Sequence, residues 1–160
     1  MANSRVAQPM LALLGNTLVI AAVWFAYLHL LAYFWSWYAA GAFVFDWAID
    51  TFLPDHRVAY YLFIYTHDVI VNTALALPVA WLLCRFWPGN LWLSVTAAVL
   101  AVFIVNHAPL LMMERPEGVS LARILAINAL MEVLPMLAAY GIASHVSRRR
   151  ATSRPAGQSP

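Results

Sequence analysis

The sequence predicts an all-α, polytopic membrane protein: a bundle of four transmembrane helices, with a short interfacial helix between the first helix and the second. Its 160 residues are 64% hydrophobic and only 10% charged, and the mean hydropathy is +0.75. Soluble domains have about a quarter of their residues charged. Four stretches are also long and apolar enough to cross a bilayer, which takes about 20 residues. Together these observations make lipid the predicted solvent of the chain.

The positions of the spans follow from where formal charges are missing. Asp68 is the single formal charge between residues 58 and 84, and Glu132 is the single one between 124 and 146. Residues 86–113 carry none. Clusters of Pro, Gly and Asn mark turns between such stretches. We place the spans near 10–35, 59–85, 91–112 and 121–145, with a turn at 88–90 and a loop at 114–118.

The first uncharged stretch is too long for a single span, so a fifth span must be weighed. A span over residues 37–52 would bury Asp46 and Asp50. Each carboxylate would cost about 2.5 to 3.5 kcal/mol near the centre of a helix. Tryptophan and tyrosine crowd this segment, and such rings favour the headgroup level of a membrane. Residues 37–55 are therefore predicted to be an interfacial segment, which leaves four spans.

The placement of arginine predicts the orientation of the bundle. All nine basic residues are arginines, and cytoplasmic loops of membrane proteins are enriched in them. Both termini are predicted to be cytoplasmic, in a bacterial-type inner membrane. A single transmembrane bundle, residues 1–146, then precedes a disordered basic tail, residues 147–160. This places six arginines inside and three outside, namely Arg5, Arg85, Arg148, Arg149, Arg150 and Arg154 against Arg57, Arg115 and Arg123.

Polar side chains from all four spans are predicted to lie in one slab of the bundle. At a helical rise of about 1.5 Å per residue, they fall between the midplane and about 10 Å outward of it. Ionisable groups inside a membrane nearly always face the bundle interior or a wet cavity. The spacing of Asp68 and Asn72, and of Asn128 and Glu132, puts each pair on one helix face. The full set is His29, His67, Asp68, Asn72, Asn106, His107, Asn128 and Glu132.

A buried carboxylate with no arginine at its depth must be protonated, paired or bound to a cation. Imidazoles and carboxylates together suit zinc, copper or iron, with amides in support. The chain has one cysteine, Cys84, which excludes an internal disulfide and a Cys-pair metal or redox site. The predicted metal ligands are His29, Asp68, His107 and Glu132, with Asn72, Asn106 and Asn128 as supporting amides.

Three other interpretations of the same polar set stay open. The first is haem, held by two of the candidate histidines His29, His67 and His107. The second is a proton or ion relay in which Asp68 and Glu132 titrate. The third is interhelical hydrogen bonding that only holds the bundle together, with bonds that average about 0.6 kcal/mol.

The leading functional hypothesis is a membrane protein that binds or conducts a cation, proton, metal or haem at an outward-facing site. The alternative is a non-catalytic accessory or assembly subunit that docks other membrane subunits through the aromatic surface around Trp47. A membrane enzyme ranks third, because no nucleophile motif or catalytic spacing accompanies the polar set, and no catalytic residue is assigned. The lipid bilayer is the predicted partner, and nothing favours nucleic acid.

Overall fold

The computed structural model describes residues 3–53, 55–87, 91–113 and 120–152, and in these ranges the chain is almost entirely helical. No strand occurs in them. The predicted turn at 88–90, the loop at 114–118 and residues 153–160 of the predicted tail lie outside the described residues. The helices are α1 (Asn3–Gly41), α2 (Phe43–Phe52), α3 (Arg57–Phe86), α4 (Trp92–His107) and α5 (Leu121–Thr152), with a 3-10 turn at Ala108–Leu111 after α4.

Four of these helices are long and apolar enough to cross a membrane, as the sequence predicts. Their spanning segments are Met10–Ala39, Arg57–Phe86, Trp92–Leu111 and Leu121–Arg150. The bundle leaves many large apolar side chains exposed, among them Leu18, Leu30 and Leu93. Lipid tails are as apolar as leucine, so this surface suits a bilayer and would be unsuited to water. The all-α, four-span fold class is confirmed.

The short helix α2 lies where the interfacial segment was predicted. The chain leaves helical geometry at Ala42, with φ −85° and ψ 108°, and resumes it at Phe43. Its ten residues measure about 15 Å, which is too short to cross a bilayer. Trp47 contacts Phe63 of α3 with ring centroids 5.4 Å apart, so α2 packs on the flank of α3. This end of the bundle is called the α2 end below.

The last helix is longer than predicted. It begins where the Ser120 hydroxyl accepts a hydrogen bond from the Arg123 backbone N–H at 3.2 Å, which caps the first turn. It ends at Thr152, although the predicted span stops at 145 and the predicted tail starts at 147. Arginine and alanine are good helix formers, and cations near a helix C-terminus are favourable. The first residues of the predicted tail therefore continue α5.

Small residues carry the most extensive helix pairing, which joins α3 to α5, while α1 packs chiefly on α4. Ala76 and Ala80 of α3 and Ala139 and Ala143 of α5 are all buried. Each pair is separated by four residues, so its methyl groups lie on one face and let the two backbones approach closely. By chain direction, this packed apolar core fills the half of the bundle away from the α2 end.

Enlarging one of these alanines is expected to destabilise the bundle. Ala80→Leu forces extra methylenes into a closed contact and should lower the free energy of unfolding by about 1 to 3 kcal/mol. Unfolding by SDS in mixed micelles measures this change. The matched control is Ala74→Leu, on the exposed side of the same helix. An equal loss in both variants would show that α3 does not pack through its alanine face.

Candidate functional site

A cavity of about 370 Å³ lies between the four long helices, in the half of the bundle near the α2 end. Each of these helices contributes at least one lining residue, so the cavity belongs to the bundle as a whole. Three of its lining residues, His29, Ala32 and Asn106, are exposed, so the cavity is open to the surroundings. Its polar lining residues are His29, Trp35, Asp68, Asn72, Asn106 and Glu132.

Asn72 of α3 links its own helix to α1 and α5 by hydrogen bonds. Its side-chain oxygen Oδ1 accepts a bond from the Trp35 indole Nε1–H at 2.7 Å. Its amide Nδ2 donates to the Met131 carbonyl oxygen at 2.9 Å. The Tyr27 hydroxyl donates to the backbone oxygen of the same residue at 3.0 Å. Asn72 is only 5% exposed, so these bonds are shielded from competing solvent.

The bond to Met131 has a cause in the sequence. In an α-helix the carbonyl of residue 131 would accept from the N–H of residue 135, four positions on. Residue 135 is a buried proline inside α5, and proline has no N–H. The Met131 carbonyl is therefore free of its helical partner, and the Asn72 amide of α3 takes that place. Neighbouring helices satisfy freed backbone groups in this way inside membranes.

Glu132 lies next to Met131 and faces His107 across the α4–α5 contact. The distance from Glu132 Oε1 to His107 Nε2 is 3.5 Å. Asn106 of α4 lines the same cavity as Glu132. The second carboxyl oxygen, Oε2, is buried and has no hydrogen-bond partner in the described ranges. Glu132 therefore has hydrogen-bonding capacity left over.

His107 presents Nε2 to Glu132 because its other ring nitrogen is engaged within α4. Nδ1 lies 3.0 Å from the backbone oxygen of Phe103, and a carbonyl can only accept a hydrogen bond. Nδ1 therefore carries a hydrogen, and Nε2 is the nitrogen that lies 3.5 Å from Glu132 Oε1.

Asp68 of α3 lines the cavity, and its carboxylate contacts the neighbouring His67. His67 Nδ1 lies 3.0 Å from Asp68 Oδ1, and Nε2 lies 3.4 Å from the Tyr38 hydroxyl. The imidazole stacks on the Tyr38 ring with centroids 6.0 Å apart, and the ring of Phe45 from α2 meets it edge-on. His67 therefore packs against aromatic rings, and its contact with Asp68 Oδ1 holds that carboxylate in position.

The structure therefore gathers most of the predicted site residues around one cavity. His29, Asp68, Asn72, Asn106 and Glu132 line it directly. Two further histidines approach it only through a carboxylate, His107 through Glu132 and His67 through Asp68. Asn128 is half-buried one turn before Glu132 and is not a lining residue. Within the described part of the chain, no three His, Cys, Asp or Glu side chains converge as metal ligands.

The candidate histidines differ in how many ring nitrogens are engaged. Both nitrogens of His67 and both nitrogens of His107 contact neighbouring groups at the distances given above. His29 uses Nδ1, which donates to the Phe25 carbonyl at 2.9 Å on its own helix. Two facing imidazoles with free nitrogens, as haem ligation needs, would require at least one of these contacts to break.

Sequence reasoning missed the wall that α1 supplies. In the sequence, Trp35 looks like one more ring of an aromatic belt at the membrane surface. In the structure it lines the cavity and donates a hydrogen bond to Asn72. The spacing of Leu28, Leu31, Ala32 and Trp35 is the signal that could have shown it, because residues three, four and seven apart share a helix face. The Met131 carbonyl was also detectable in principle, from the proline four residues later.

Comparisons with protein-family models, with curated proteins and with solved structures find no match to this chain.

Proposed function

We propose that this multi-pass membrane protein binds a cation in the cavity between its four spans. The observation that carries the proposal is the charge of the lining. Two carboxylates, Asp68 and Glu132, line the cavity, and none of the described residues that line it is an arginine. A carboxylate in such surroundings needs a proton or another cation as its counter-charge.

The hydrogen bonds around the cavity support a binding role beyond structural support. Asn72 has its side-chain donor and acceptor satisfied by the bundle itself, as a structural residue should. Glu132 differs, because its Oε2 lacks a partner among the described residues and its Oε1 lies 3.5 Å from His107 Nε2. A cation in the cavity supplies the partner that Oε2 lacks and the counter-charge that the carboxylate needs.

The same geometry supports a small cation in preference to haem. The candidate histidines His67 and His107 already use both ring nitrogens. The accessory-subunit hypothesis gains no specific support, because the exposed rings of Phe43 and Trp47 on α2 also suit lipid headgroups. Cation binding is therefore the function that the site supports best.

We further propose that the cavity faces away from the cytoplasm in a bacterial-type inner membrane, with both termini cytoplasmic. Arg85 lies at the end of α3 that is opposite the α2 end, and so do Arg148, Arg149 and Arg150 of α5. The positive-inside bias places that end in the cytoplasm. The α2 end, and with it the cavity, then faces outward.

Carbodiimide labelling tests the cation proposal directly. A hydrophobic carbodiimide modifies protonated carboxyls in apolar surroundings, and mass spectrometry of the purified protein locates the modified residue. We expect modification at Glu132, and we expect an added cation that pairs with its carboxylate to suppress this modification. Asp50 on α2 is the internal control, because it is exposed and its reactivity should not depend on added cation. Labelling of Glu132 that no added cation suppresses, whether inorganic or organic, would contradict the proposal.

A further inference from the structure

We infer that the cation taken by this cavity is a small organic ammonium, in which a primary amine head is joined to a short apolar body. The inference rests on the proposed function and adds the chemical class of the ligand. Three properties of the cavity lead to it: its size, its mixed polar and apolar lining, and the way its carboxylates are placed.

The size of the cavity exceeds what a bare ion needs. Small-molecule pockets measure about 300 to 1,000 Å³, and this cavity of about 370 Å³ falls within that range. A metal ion also draws several side chains close to one point. In the described ranges no group of three His, Cys, Asp or Glu side chains is arranged in that way. Volume and ligand arrangement both favour a molecule.

The lining combines polar and apolar side chains. Asp68, Asn106 and Glu132 bring carboxylates and an amide from α3, α4 and α5. Helix α1 presents Leu28, Leu31 and Ala32 together with His29 and Trp35, and α5 adds Met131. An alkyl chain bound in the cavity would bury its surface against these apolar side chains, which a metal ion alone would not cover.

The carboxylates suit an ammonium head, which has three donors and no acceptor. Glu132 has an oxygen without a hydrogen-bond partner among the described residues, and rotation about the last bond of a glutamate is soft, so the carboxylate can turn toward a ligand. Asp68 contacts His67 through Oδ1. Trp35 also lines the cavity, and the face of an indole attracts cations more strongly than other side chains do.

Isothermal titration of the full-length protein in detergent tests this inference with n-butylammonium as the probe. The matched ligand is n-butanol, which has the same apolar body and no charge, and sodium and zinc ions test the inorganic alternative. We expect n-butylammonium to bind at least about tenfold more tightly than n-butanol, as a charge-assisted hydrogen bond predicts. It should also suppress carbodiimide labelling of Glu132.

A cavity-filling variant shows where the apolar body lies. Ala32→Phe fills the α1 wall and should abolish n-butylammonium binding. Ala26→Phe is the control, because Ala26 is exposed on the same helix and does not line the cavity. Both variants are compared by thermal unfolding, so that a folding defect is recognised and the control retains its binding.

The outcomes separate the inference from the proposed function. Binding of sodium or zinc without n-butylammonium overturns the organic ligand and leaves the cation site standing. Equal binding of n-butanol and n-butylammonium also overturns it, because the charge would then be irrelevant. If no cation binds and none suppresses the labelling of Glu132, both the inference and the proposed function fail.

Discussion

Replacing Asn72 by leucine is expected to lower the free energy of unfolding by about 1 to 3 kcal/mol, since two interhelical side-chain hydrogen bonds are lost and each is worth about 0.6 to 1.7 kcal/mol. The variant leaves the Trp35 indole N–H and the Met131 carbonyl without partners in a buried site. Unfolding by SDS in mixed micelles measures this change in the free energy of unfolding.

The matched control is Asn128→Leu, which removes the same side chain from a half-buried position of α5 outside the cavity lining. Its effect is expected to lie within about 0.5 kcal/mol, as for substitutions away from buried networks. A comparable loss in both variants would mean that the cost reflects the lipid phase and not the bonds of Asn72.

A double-mutant cycle isolates the role of the proline. Pro135→Ala restores an N–H four residues after Met131, so the Met131 carbonyl regains its helical partner. In that background Asn72→Leu should cost less, and the coupling energy is expected to be at least about 0.5 kcal/mol, as for contacting residues. Strict additivity of the two substitutions would show that the Asn72 amide does not replace the missing helical bond.

The second large effect concerns binding. Glu132→Gln removes the charge that carries the cation proposal and keeps the size of the side chain. Hydrogen bonds to charged groups are worth about 1.5 to 3 kcal/mol, so cation affinity is expected to fall roughly 10- to 100-fold. Titration of the purified variant with n-butylammonium measures the change in affinity, and a thermal unfolding scan confirms that the variant folds.

The two carboxylates should differ in this experiment. Each carboxylate has a histidine beside one of its oxygens, but the second oxygen of Glu132 is buried and has no hydrogen-bond partner among the described residues. Asp68→Asn is therefore expected to weaken binding less than Glu132→Gln does. Asp50→Asn on α2 provides the control and should leave the affinity unchanged, because Asp50 is exposed and lies outside the cavity lining. If Glu132→Gln binds as tightly as the natural chain, the site lies elsewhere.

Sequence alone predicted most of the fold, because charge is so costly in lipid that its absence marks the spans. The same cost, applied to Asp46 and Asp50, correctly separated α2 from a fifth span. The end of α5 was less predictable, because arginines at 148–150 are compatible with a disordered tail and with a helix C-terminus alike. The structure shows that they continue the helix to Thr152.

The cavity was only partly predictable from the sequence. Helical periodicity paired Asp68 with Asn72 on one face, and both line the cavity. The depth of a residue in the membrane, in contrast, does not predict the direction of its side chain. His67 lies at about the same depth as Asp68, but its side chain turns toward Tyr38. The direction of a side chain depends on how each helix is rotated against its neighbours. The packing of small residues such as Ala76 and Ala139 sets that rotation. The pattern of residues in a single sequence gives little information about how a helix is rotated.

The central claim is that four spans enclose a polar, water-accessible cavity, and thiol accessibility tests it most directly. In a Cys84→Ala background, Ala32→Cys places a thiol on the cavity wall, while Leu30→Cys places one on the exposed outer face of the same helix. Each variant is reconstituted in vesicles and treated with a membrane-impermeant, positively charged thiol reagent. We predict rapid modification of Ala32→Cys and no modification of Leu30→Cys, which lies in lipid. Equal reactivity, or modification of Leu30→Cys alone, would contradict the cavity and the function proposed for it.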